Sequence, residues 1–348
     1  MEQISAIGLD IAKQYFQVHG ADNVGNPVLR RKLRRNQVLK FFTEFPRCRV
    51  GIEACSTAHH WARAIAALGH EVRLIPPQYV KPFVKRSKTD ASDAEAIYEA
   101  MSRPTMRFVT VKSKEQQAAL MVHRARDVLV RQRTQLSNSI RSYLAEFGLV
   151  AAQSPRNVAK LLEQMDAGDI TELPAYAHDA IAALRGQLSN LTKQIDVLEA
   201  KIIADHRCNS LSRRLATIPG IGPITATLMA ATISDPKQFS SARTFAAWIG
   251  LVPREYSSGG KQVLGSISKK GNPHLRRLLI IGAHTVLRWS RRGGKSGSQW
   301  LKQLLERRPA NVAATALANK TARIAWAIMV SGETYRAVER SAEVPMAA

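Results

Sequence analysis

Cysteine is scarce in this chain: its 348 residues include only Cys48, Cys55 and Cys208, and no two of them form a CxxC pair. Their odd number and scattered positions argue against a disulfide framework and against a zinc ribbon. The sequence also has no apolar run of about 18 residues, the length that a membrane-spanning helix needs. Its N-terminus lacks the charged-then-apolar layout of a signal peptide. We therefore expect a cytoplasmic protein with reduced thiols and no membrane partner.

Acidic residues are also few, with 27 Asp and Glu against 51 Lys and Arg, which gives a formal net charge of +24. Such a surplus favours a polyanionic partner, and without a membrane segment that partner is expected to be nucleic acid. A hydrophobic content of 45% with 22% charged residues is typical of a folded chain. The length is sufficient for two domains.

Short β-like stretches separated by Gly, Asn and Asp open the chain. They predict strands at residues 4–10, 15–20 and 27–35. Helical and strand-like signals then alternate, predicting a helix at 36–45, a strand at 48–52, a helix at 56–68, a strand at 71–75 and a helix beyond Ser87. Three strands followed by alternating helices and strands indicate a mixed α/β sheet.

Four acids lie at the ends of predicted strands or near the start of a predicted helix. Asp10 ends the first strand and Glu53 ends the fourth, and we expect those strands to be neighbours. Asp90 and Asp93 are three residues apart, a spacing that places both on one face of a helix or of its first turn. The sequence therefore predicts that the four carboxylates converge.

Four converging carboxylates repel one another unless cations neutralise them. Hard divalent ions such as Mg²⁺ prefer oxygen ligands, and two of them can stabilise the attacking and leaving oxygens of phosphoryl transfer. The alternative is structural: Asp10 and Glu53 merely end strands, Asp90 is a helix N-cap, and Asp93 interacts with the helix dipole. The Gly8-Leu9-Asp10 start is also compatible with the phosphate-binding strand of sugar kinases and chaperone ATPases, although no second phosphate-binding motif follows.

Two helical tracts with near-heptad spacing come next. The first has apolar residues at Val122, Ala125, Leu129, Leu136, Ile140, Tyr143 and Phe147. The second has them at Ile181, Leu184, Leu188, Leu191, Ile195, Leu198 and Ile202, in the steps of three and four that form a coiled-coil seam. The less periodic residues 151–174 are expected to contain the turn. Two interpretations stay open, an antiparallel hairpin that packs on itself and a dimerisation arm.

The segment Ile218-Pro219-Gly220-Ile221-Gly222-Pro223, followed by an apolar helix at 224–233, resembles a helix-hairpin-helix element. Gly220 and Gly222 would then offer backbone N–H groups to a phosphate. The alternative is a tight interhelical turn.

A Ser/Gly-rich loop at residues 257–260 lies among basic side chains, namely Arg254, Lys261, Lys269, Lys270, Arg276 and Arg277. A serine in such a loop is suitably placed to attack a phosphate that the cations hold. The alternative is an ordinary loop whose neighbouring cations contact backbone phosphates.

As a set, these segments resemble transposases of the insertion-sequence 110 family, in particular its 1111 subgroup. The resemblance rests on Gly8-Leu9-Asp10-Ile11-Ala12-Lys13, Ile52-Glu53-Ala54, Lys88-Thr89-Asp90-Ala91-Ser92-Asp93-Ala94, Ile218-Pro219-Gly220-Ile221-Gly222, Phe245-Ala246-Ala247-Trp248-Ile249-Gly250-Leu251-Val252-Pro253-Arg254 and Ser258-Gly259. It extends through nearly the whole chain.

The resemblance implies three domains: an α/β RNase H-like (RuvC-like) domain at 1–110, a helical coiled-coil domain at 111–206 and a mainly α transposase domain at 207–348. It implies a DEDD metal site of Asp10, Glu53, Asp90 and Asp93, which would bind two Mg²⁺ ions or Mn²⁺ in their place. It places the nucleophilic serine at Ser258, with Ser257 as the neighbouring alternative.

The implied activity is site-specific DNA recombination that moves an insertion element, in a bacterial, nucleoid-associated protein. The implied partners are double-stranded donor and target DNA, a structured bridge RNA, and further copies of the chain in a dimer that assembles to a tetramer. Two other functions remain open at this point. One is a Holliday-junction nuclease in which water attacks, and the other is a non-catalytic nucleic-acid-binding protein whose acids are structural.

Overall fold

The computed structural model describes residues 4–85, 89–168, 173–292 and 299–336. The chain divides into two compact units, residues 1–115 and 116–348. The boundary near residue 110 that the sequence predicts lies close to this division, whereas a further boundary near residue 206 stays a prediction. Within the described ranges, no helix is both long and apolar enough to cross a membrane.

The first unit contains a five-stranded mixed sheet. Its strands are β1 (Ala6–Ile11), β2 (Tyr15–Ala21), β3 (Pro27–Arg34), β4 (Arg49–Glu53) and β5 (Glu71–Ile75). Their spatial order is β3-β2-β1-β4-β5, in which β1 to β3 are antiparallel to one another while β4 and β5 run parallel to β1. The predicted mixed sheet and the predicted β1–β4 neighbourhood are thereby confirmed.

In the described part of this unit, four α-helices accompany the sheet: α1 (Val38–Glu44), α2 (Ala58–Ala67), α3 (Pro77–Val80) and α4 (Asp90–Met101). Alternate residues of a strand point to opposite faces, so each face has its own core. Ile7 and Leu9 of β1 pack with Trp61 and Ile65 of α2. Ala6 faces the other way and packs in a cluster that includes residues of α4. The sheet therefore separates α2 from α4.

The second unit is mainly helical. Its elements are α5 (Lys114–Ala145), α6 (Pro155–Asp166), α7 (Ala175–Cys208), α8 (Ser210–Leu215), α9 (Pro223–Thr232), α10 (Ala242–Ile249), β6 (Pro253–Glu255), β7 (Leu264–Ile267), α11 (Pro273–Arg291), α12 (Gln299–Arg307) and α13 (Ala310–Ser331). Buried residues of α9 to α13 form one large core, to which α13 contributes a stripe of small alanines. A β6–β7 hairpin carries the Ser/Gly-rich loop.

The long helices α5 and α7 pair in opposite directions. Ile140 near the end of α5 shares a core with Ile181 near the start of α7, and Arg126 near the start of α5 donates to Glu199 near the end of α7 at 2.8 Å. All seven predicted seam residues of α7 are buried or half-buried. The stripe therefore packs within the chain over at least part of its length, and a role as a dimerisation arm stays a prediction.

Two details of this region go beyond the sequence-based expectation or depart from it. Residues 151–174, which are expected to contain the turn, also include the 12-residue helix α6. Its apolar face joins the core between α5 and α7. The heptad pattern predicts Tyr143 and Phe147 in the seam, but they are 54% and 46% exposed. Leu144 is buried instead, because the true 3.6-residue helical period drifts away from a strict heptad.

Candidate active site and nucleic-acid contacts

Asp10 and Glu53 lie at the same edge of the sheet. The parallel β1–β4 register pairs Gly8 with Gly51 and Leu9 with Ile52, so the next step brings Asp10 level with Glu53. Two-residue periodicity places Asp10 on the face of Gly8, and Glu53 on the face of Gly51. Both carboxylates therefore extend on the side of the sheet that α4 covers.

Helix α4 lies unusually close to these strands. A Cβ atom added to Gly8 would lie 2.1 Å from the carbonyl oxygen of Ala94, and one added to Gly51 would lie 3.0 Å from Met101 Sδ. Any larger residue at position 8 would push the helix backbone away from β1. The two glycines thus allow the close approach that brings the start of α4 near the carboxyl ends of β1 and β4.

The start of α4 is capped without help from its acids. Thr89 is the N-cap residue, and its Oγ1 accepts a hydrogen bond from the backbone N–H of Ser92 at 3.2 Å. The interpretation of Asp90 as the N-cap is therefore wrong, since Asp90 is the first residue of the helix. Asp90 and Asp93 both lie in its first turn, where the helix dipole favours negative charge.

The electrostatics of Asp10 link the four acids. Burial and the negative charges of Asp93, Asp90 and Glu53, in that order, raise the pKa of Asp10 from 3.8 to about 6. A shift of this kind arises when carboxylates repel one another in a partly buried place. Such a set of oxygen donors suits a hard divalent cation, whose charge would remove the repulsion. Among the described residues, no three His, Cys, Asp or Glu side chains are already arranged as a formed metal site, so metal binding stays a prediction.

Ser258 lies at the tip of the β6–β7 hairpin. Its backbone pairs with Lys261, whose N–H donates to the Ser258 carbonyl oxygen at 3.1 Å. Gly259 and Gly260 between them have φ values of +56° and +75°, as in the two-residue turns that close tight hairpins. Ser258 therefore immediately precedes a turn whose backbone only glycine adopts easily.

The two adjacent serines differ in their hydrogen bonds. The Ser257 hydroxyl donates to Glu255 Oε1 at 2.9 Å and accepts from the Val263 N–H at 3.2 Å. The Ser258 hydroxyl has no hydrogen-bond partner in the described parts of the chain. Ser257 thus serves to fasten the hairpin, whereas Ser258 has its hydroxyl available for another role.

The cations predicted around this loop fall into two groups. Arg254, Lys261, Lys269 and Lys270 are exposed. Arg276 instead donates to the carbonyl oxygens of Ile249 and Lys270, at 2.8 and 2.9 Å, and Arg277 pairs with Asp127. The first group is free to meet nucleic acid, while the second already supports the protein itself. A contact between any of the six residues and nucleic acid stays a prediction.

The Gly-Ile-Gly turn also combines two roles. Gly220 has a φ of +89°, and a Cβ on Gly282 of α11 would lie 1.9 Å from its carbonyl oxygen. Close packing therefore explains Gly220. Gly222 is the N-cap of α9. A Cβ atom at its position would meet nothing within 4 Å. The residue also lines a cleft of about 1380 Å³ between α5 and α11. The phosphate-binding prediction therefore rests chiefly on Gly222.

One basic segment lies outside the set of site residues that the sequence predicts. Residues 30–35 contain five Arg or Lys in six positions, and they continue from β3, the exposed edge strand of the sheet, into the following turn. Dense short runs of cations are a sequence signal for nucleic-acid contact. The signal is therefore present in the sequence, although the strand-like pattern of the segment favours a purely structural interpretation.

Two family models match parts of this chain. A family model described as "Transposase IS116/IS110/IS902 family" matches residues 212–304, and a DEDD transposase model for IS110 elements, described as "Transposase", matches residues 7–148. The first match covers the serine loop, and the second covers the four acids.

Similar proteins extend over nearly the whole chain. It is 51% identical over 334 residues to a probable family 20 transposase of Pseudomonas aeruginosa, covering 96% of this chain and 99% of that protein. It is 48% identical over 344 residues to putative transposase y4pF/y4sB of Sinorhizobium fredii, covering 99% and 88%. It is 41% identical over 336 residues to the transposase for insertion sequence element IS1111A of Coxiella burnetii, covering 97% and 92%. With these motifs, this fold and these relatives, the chain belongs to the IS116/IS110/IS902 family of transposases, enzymes that act on DNA.

Proposed function

We propose that this transposase cuts and rejoins DNA strands with two sets of residues, a metal-holding group of acids (Asp10, Glu53, Asp90 and Asp93) and the nucleophile Ser258. The observation that supports the first set most directly is the raised pKa of Asp10, about 6, to which all three other acids contribute. The carboxylates are close enough to destabilise one another's charge. Divalent cations bound among the carboxylates would relieve that repulsion.

The acids supply oxygen ligands, and the expected ions are Mg²⁺, two in number, with Mn²⁺ as a substitute. When bound, such ions polarise phosphate oxygens and stabilise charge on the attacking and leaving oxygens. Asp10 and Glu53 are fixed by the rigid strands β1 and β4, while Asp90 and Asp93 are fixed by the capped start of α4. The sheet order and the position of these acids support an RNase H-like, RuvC-like domain.

Ser258 would attack the scissile phosphorus through its hydroxyl oxygen. A serine O–P bond forms as the bond from phosphorus to one sugar oxygen breaks, and the hydroxyl proton passes to solvent or to the departing oxygen. The reverse attack by a sugar hydroxyl restores a phosphodiester and frees the serine, so no net oxidation or hydrolysis is needed. A serine hydroxyl is a weak nucleophile at neutral pH and requires activation.

Further partners follow from the family resemblance. We expect donor and target DNA, a structured bridge RNA, and a dimer that assembles to a tetramer, in the bacterial cytoplasm at the nucleoid. The net charge of +24 supports polyanionic partners. The antiparallel α5–α7 pair supports a helical coiled-coil region at 111–206, ahead of the transposase domain at 207–348.

The test is a search for a covalent protein–DNA adduct on denaturing gels. Labelled element-end DNA is incubated with Mg²⁺ and RNA transcribed from the DNA that flanks the gene. Wild type is compared with Ser258→Ala, Ser257→Ala and Asp10→Asn. We expect an adduct with wild type, none with Ser258→Ala or Asp10→Asn, and a reduced amount with Ser257→Ala, because Ser257 only fastens the hairpin.

Each other outcome identifies a different error. An adduct that persists in Ser258→Ala and disappears in Ser257→Ala transfers the nucleophile to Ser257. Cleavage by wild type without any adduct favours a nuclease that uses water. Full cleavage by Asp10→Asn in Mg²⁺ overturns the metal-site proposal.

A further inference from the structure

A second basic surface lies in the first unit, at the edge of the sheet where the acids lie. It is a cleft of about 680 Å³. Its basic and aromatic lining residues are Lys13, Tyr15, Arg34, Arg35, His60 and Trp61. No Asp or Glu occurs among the described residues that line it. The cleft therefore has donors and positive charge but no carboxylate to neutralise them.

The sheet register fixes the position of this cleft. Lys13 lies in the short β1–β2 connection, three residues after Asp10. Tyr15 at the start of β2 pairs with Arg34 at the end of β3. His60 and Trp61 lie in the first turns of α2, which follows Glu53 and β4. The cleft thus flanks the edge at which β1 and β4 present their acids.

The Lys and Arg side chains of the cleft form no salt bridge with the other described residues. Lys13 and Arg34 are exposed, and none of the salt bridges between described residues includes Lys13, Arg34 or Arg35. Arg35 is held in place by Trp61, since its guanidinium carbon lies 5.1 Å from the centre of the indole ring. Cations on an edge strand also deter edge-to-edge pairing, but that role does not explain Lys13, which precedes β2.

Trp61 adds an independent observation. The residue is only 4% exposed, yet its indole N–H has no hydrogen-bond partner within the described structure. Buried polar groups are normally paired, and an indole N–H can only donate. An acceptor from outside the chain, such as a phosphate oxygen, would satisfy it while the surrounding cations offset the charge.

We infer that this cleft binds the sugar-phosphate backbone of the DNA strand next to the phosphate that is cut, a role that rests on the proposed function. Lys13 and Arg34 neutralise phosphates, Arg35 does so from its position on the Trp61 ring, and the Trp61 N–H donates to a phosphate oxygen. None of these contacts reads a base edge. The cleft orients the strand and carries no sequence preference.

The test compares two double variants that remove the same charge. Lys13→Gln/Arg34→Gln alters the cleft. Arg47→Gln/Arg49→Gln removes the same charge at the other end of the strands, where β4 begins. Anisotropy of a fluorescein-labelled DNA duplex of mixed sequence is measured in EDTA over a series of salt concentrations, and circular dichroism verifies folding. We expect the slope of log K against log salt to fall by about 2 for the cleft variant, with about tenfold weaker binding near 0.1 M salt. The control should lose about twofold or less.

Trp61→Phe tests the indole donor separately, because it keeps a ring beneath Arg35 and removes the N–H. We expect a further severalfold loss of affinity with an unchanged salt slope, since no charge is removed. Equal losses in the two double variants would overturn the proposal. So would a loss seen only with a labelled RNA hairpin, which would assign the cleft to RNA.

Failure of the proposed function gives a different pattern. The binding assay contains no metal ion and requires no cleavage, so it reports on the cleft alone. Full cleavage by Asp10→Asn would contradict the acid site while leaving the difference between the two double variants intact.

Discussion

Gly8 and Gly51 face each other in the parallel β1–β4 ladder, and both lie directly beneath helix α4. A Cβ atom added at either glycine would meet neighbours of a different kind. The contact at Gly8 is with the backbone of α4, at the Ala94 carbonyl, whereas the contacts at Gly51 are with the Met101 and Ile97 side chains. Backbone cannot yield without moving the whole helix, but a methionine side chain can change rotamer.

The first prediction follows from this difference. Gly8→Ala should destabilise the protein by about 1 to 3 kcal/mol, the usual cost of overpacking, and should abolish DNA cleavage because the start of α4 moves away from Asp10. Gly51→Ala is the matched control and should lose less stability and less cleavage activity. Urea unfolding and strand cleavage measure the two effects, and equal losses would show that the close approach of α4 has no special role.

The second prediction concerns pH. The neutral Asp10 carboxyl is favoured in the folded state, so its contribution to stability is complete below about pH 4 and is lost as the pH rises through 6. Without metal, Asp10→Asn should therefore unfold at higher urea concentration than wild type at pH 7. The gain should be about 1 to 2 kcal/mol after allowance for partial solvent screening, and it should vanish near pH 4.

Asp22→Asn is the control for that series and should behave oppositely. Asp22 Oδ1 accepts hydrogen bonds from the backbone N–H groups of Val24, Gly25 and Asn26, at 2.9, 2.7 and 2.9 Å. These bonds lower the pKa of Asp22, so its contribution is present at neutral pH and is lost as the pH falls. A gain in stability from Asp22→Asn at pH 7 would contradict this account of the charges.

The third prediction is that Mg²⁺ or Mn²⁺ raises the melting temperature of the wild-type protein, because an ion that binds only the folded state stabilises it by mass action. The rise should be absent or much smaller in Asp10→Asn and Asp93→Asn. Glu115→Gln, which removes a carboxylate outside the group of four acids, should keep the full rise. An equal rise in all variants would indicate non-specific binding.

The fourth prediction addresses the net charge of +24. The affinity of wild type for DNA of mixed sequence should fall steeply between 50 and 200 mM salt, because each neutralised phosphate contributes about −0.9 to the slope of log K against log salt. Fluorescence anisotropy gives that slope directly. Affinity that does not change with salt would mean that the charge serves another purpose.

The fifth prediction concerns the contact between Gly282 and Gly220. Gly282→Ala should be destabilising, since the new Cβ would lie 1.9 Å from the Gly220 carbonyl oxygen. Gly186→Ala changes a helical glycine of the same unit with nothing within 4 Å and should stabilise the protein by about 0.5 to 1 kcal/mol. Thermal unfolding compares the two, and equal stability would show that the turn can move off α11.

Much of the first unit is predictable because its signals are local. Alternating apolar residues and turn-forming residues mark the strands, and Asp10 and Glu53 stand out because they are the penultimate residue of β1 and the last residue of β4. The close packing of α4 on Gly8 cannot be predicted in the same way, because it depends on Ala94, which lies far along the chain. Only the folded sheet brings the two together.

The second unit contains more that sequence periodicity cannot supply. Arg276 looks like a cation for nucleic acid, yet its guanidinium binds two backbone carbonyls. Likewise, the two serines look alike in the sequence, and they differ once the hairpin has formed, when the Ser257 hydroxyl donates to Glu255 and accepts from the Val263 N–H across the hairpin. In each case, the decisive partner lies on another segment of the chain.

The basic edge strand has a further consequence, for the way copies of the chain can associate. Strand β3 leaves its outer edge open, but a second β3 laid against it would bring Arg30, Arg31 and Lys32 beside their own counterparts, and like charges directly opposite are destabilising. The other edge, at β5, is partly covered by a bridge between Leu74 and Val109. Sheets of separate copies therefore cannot readily join into a continuous ribbon. The charge of this strand thus disfavours aggregation through sheet edges.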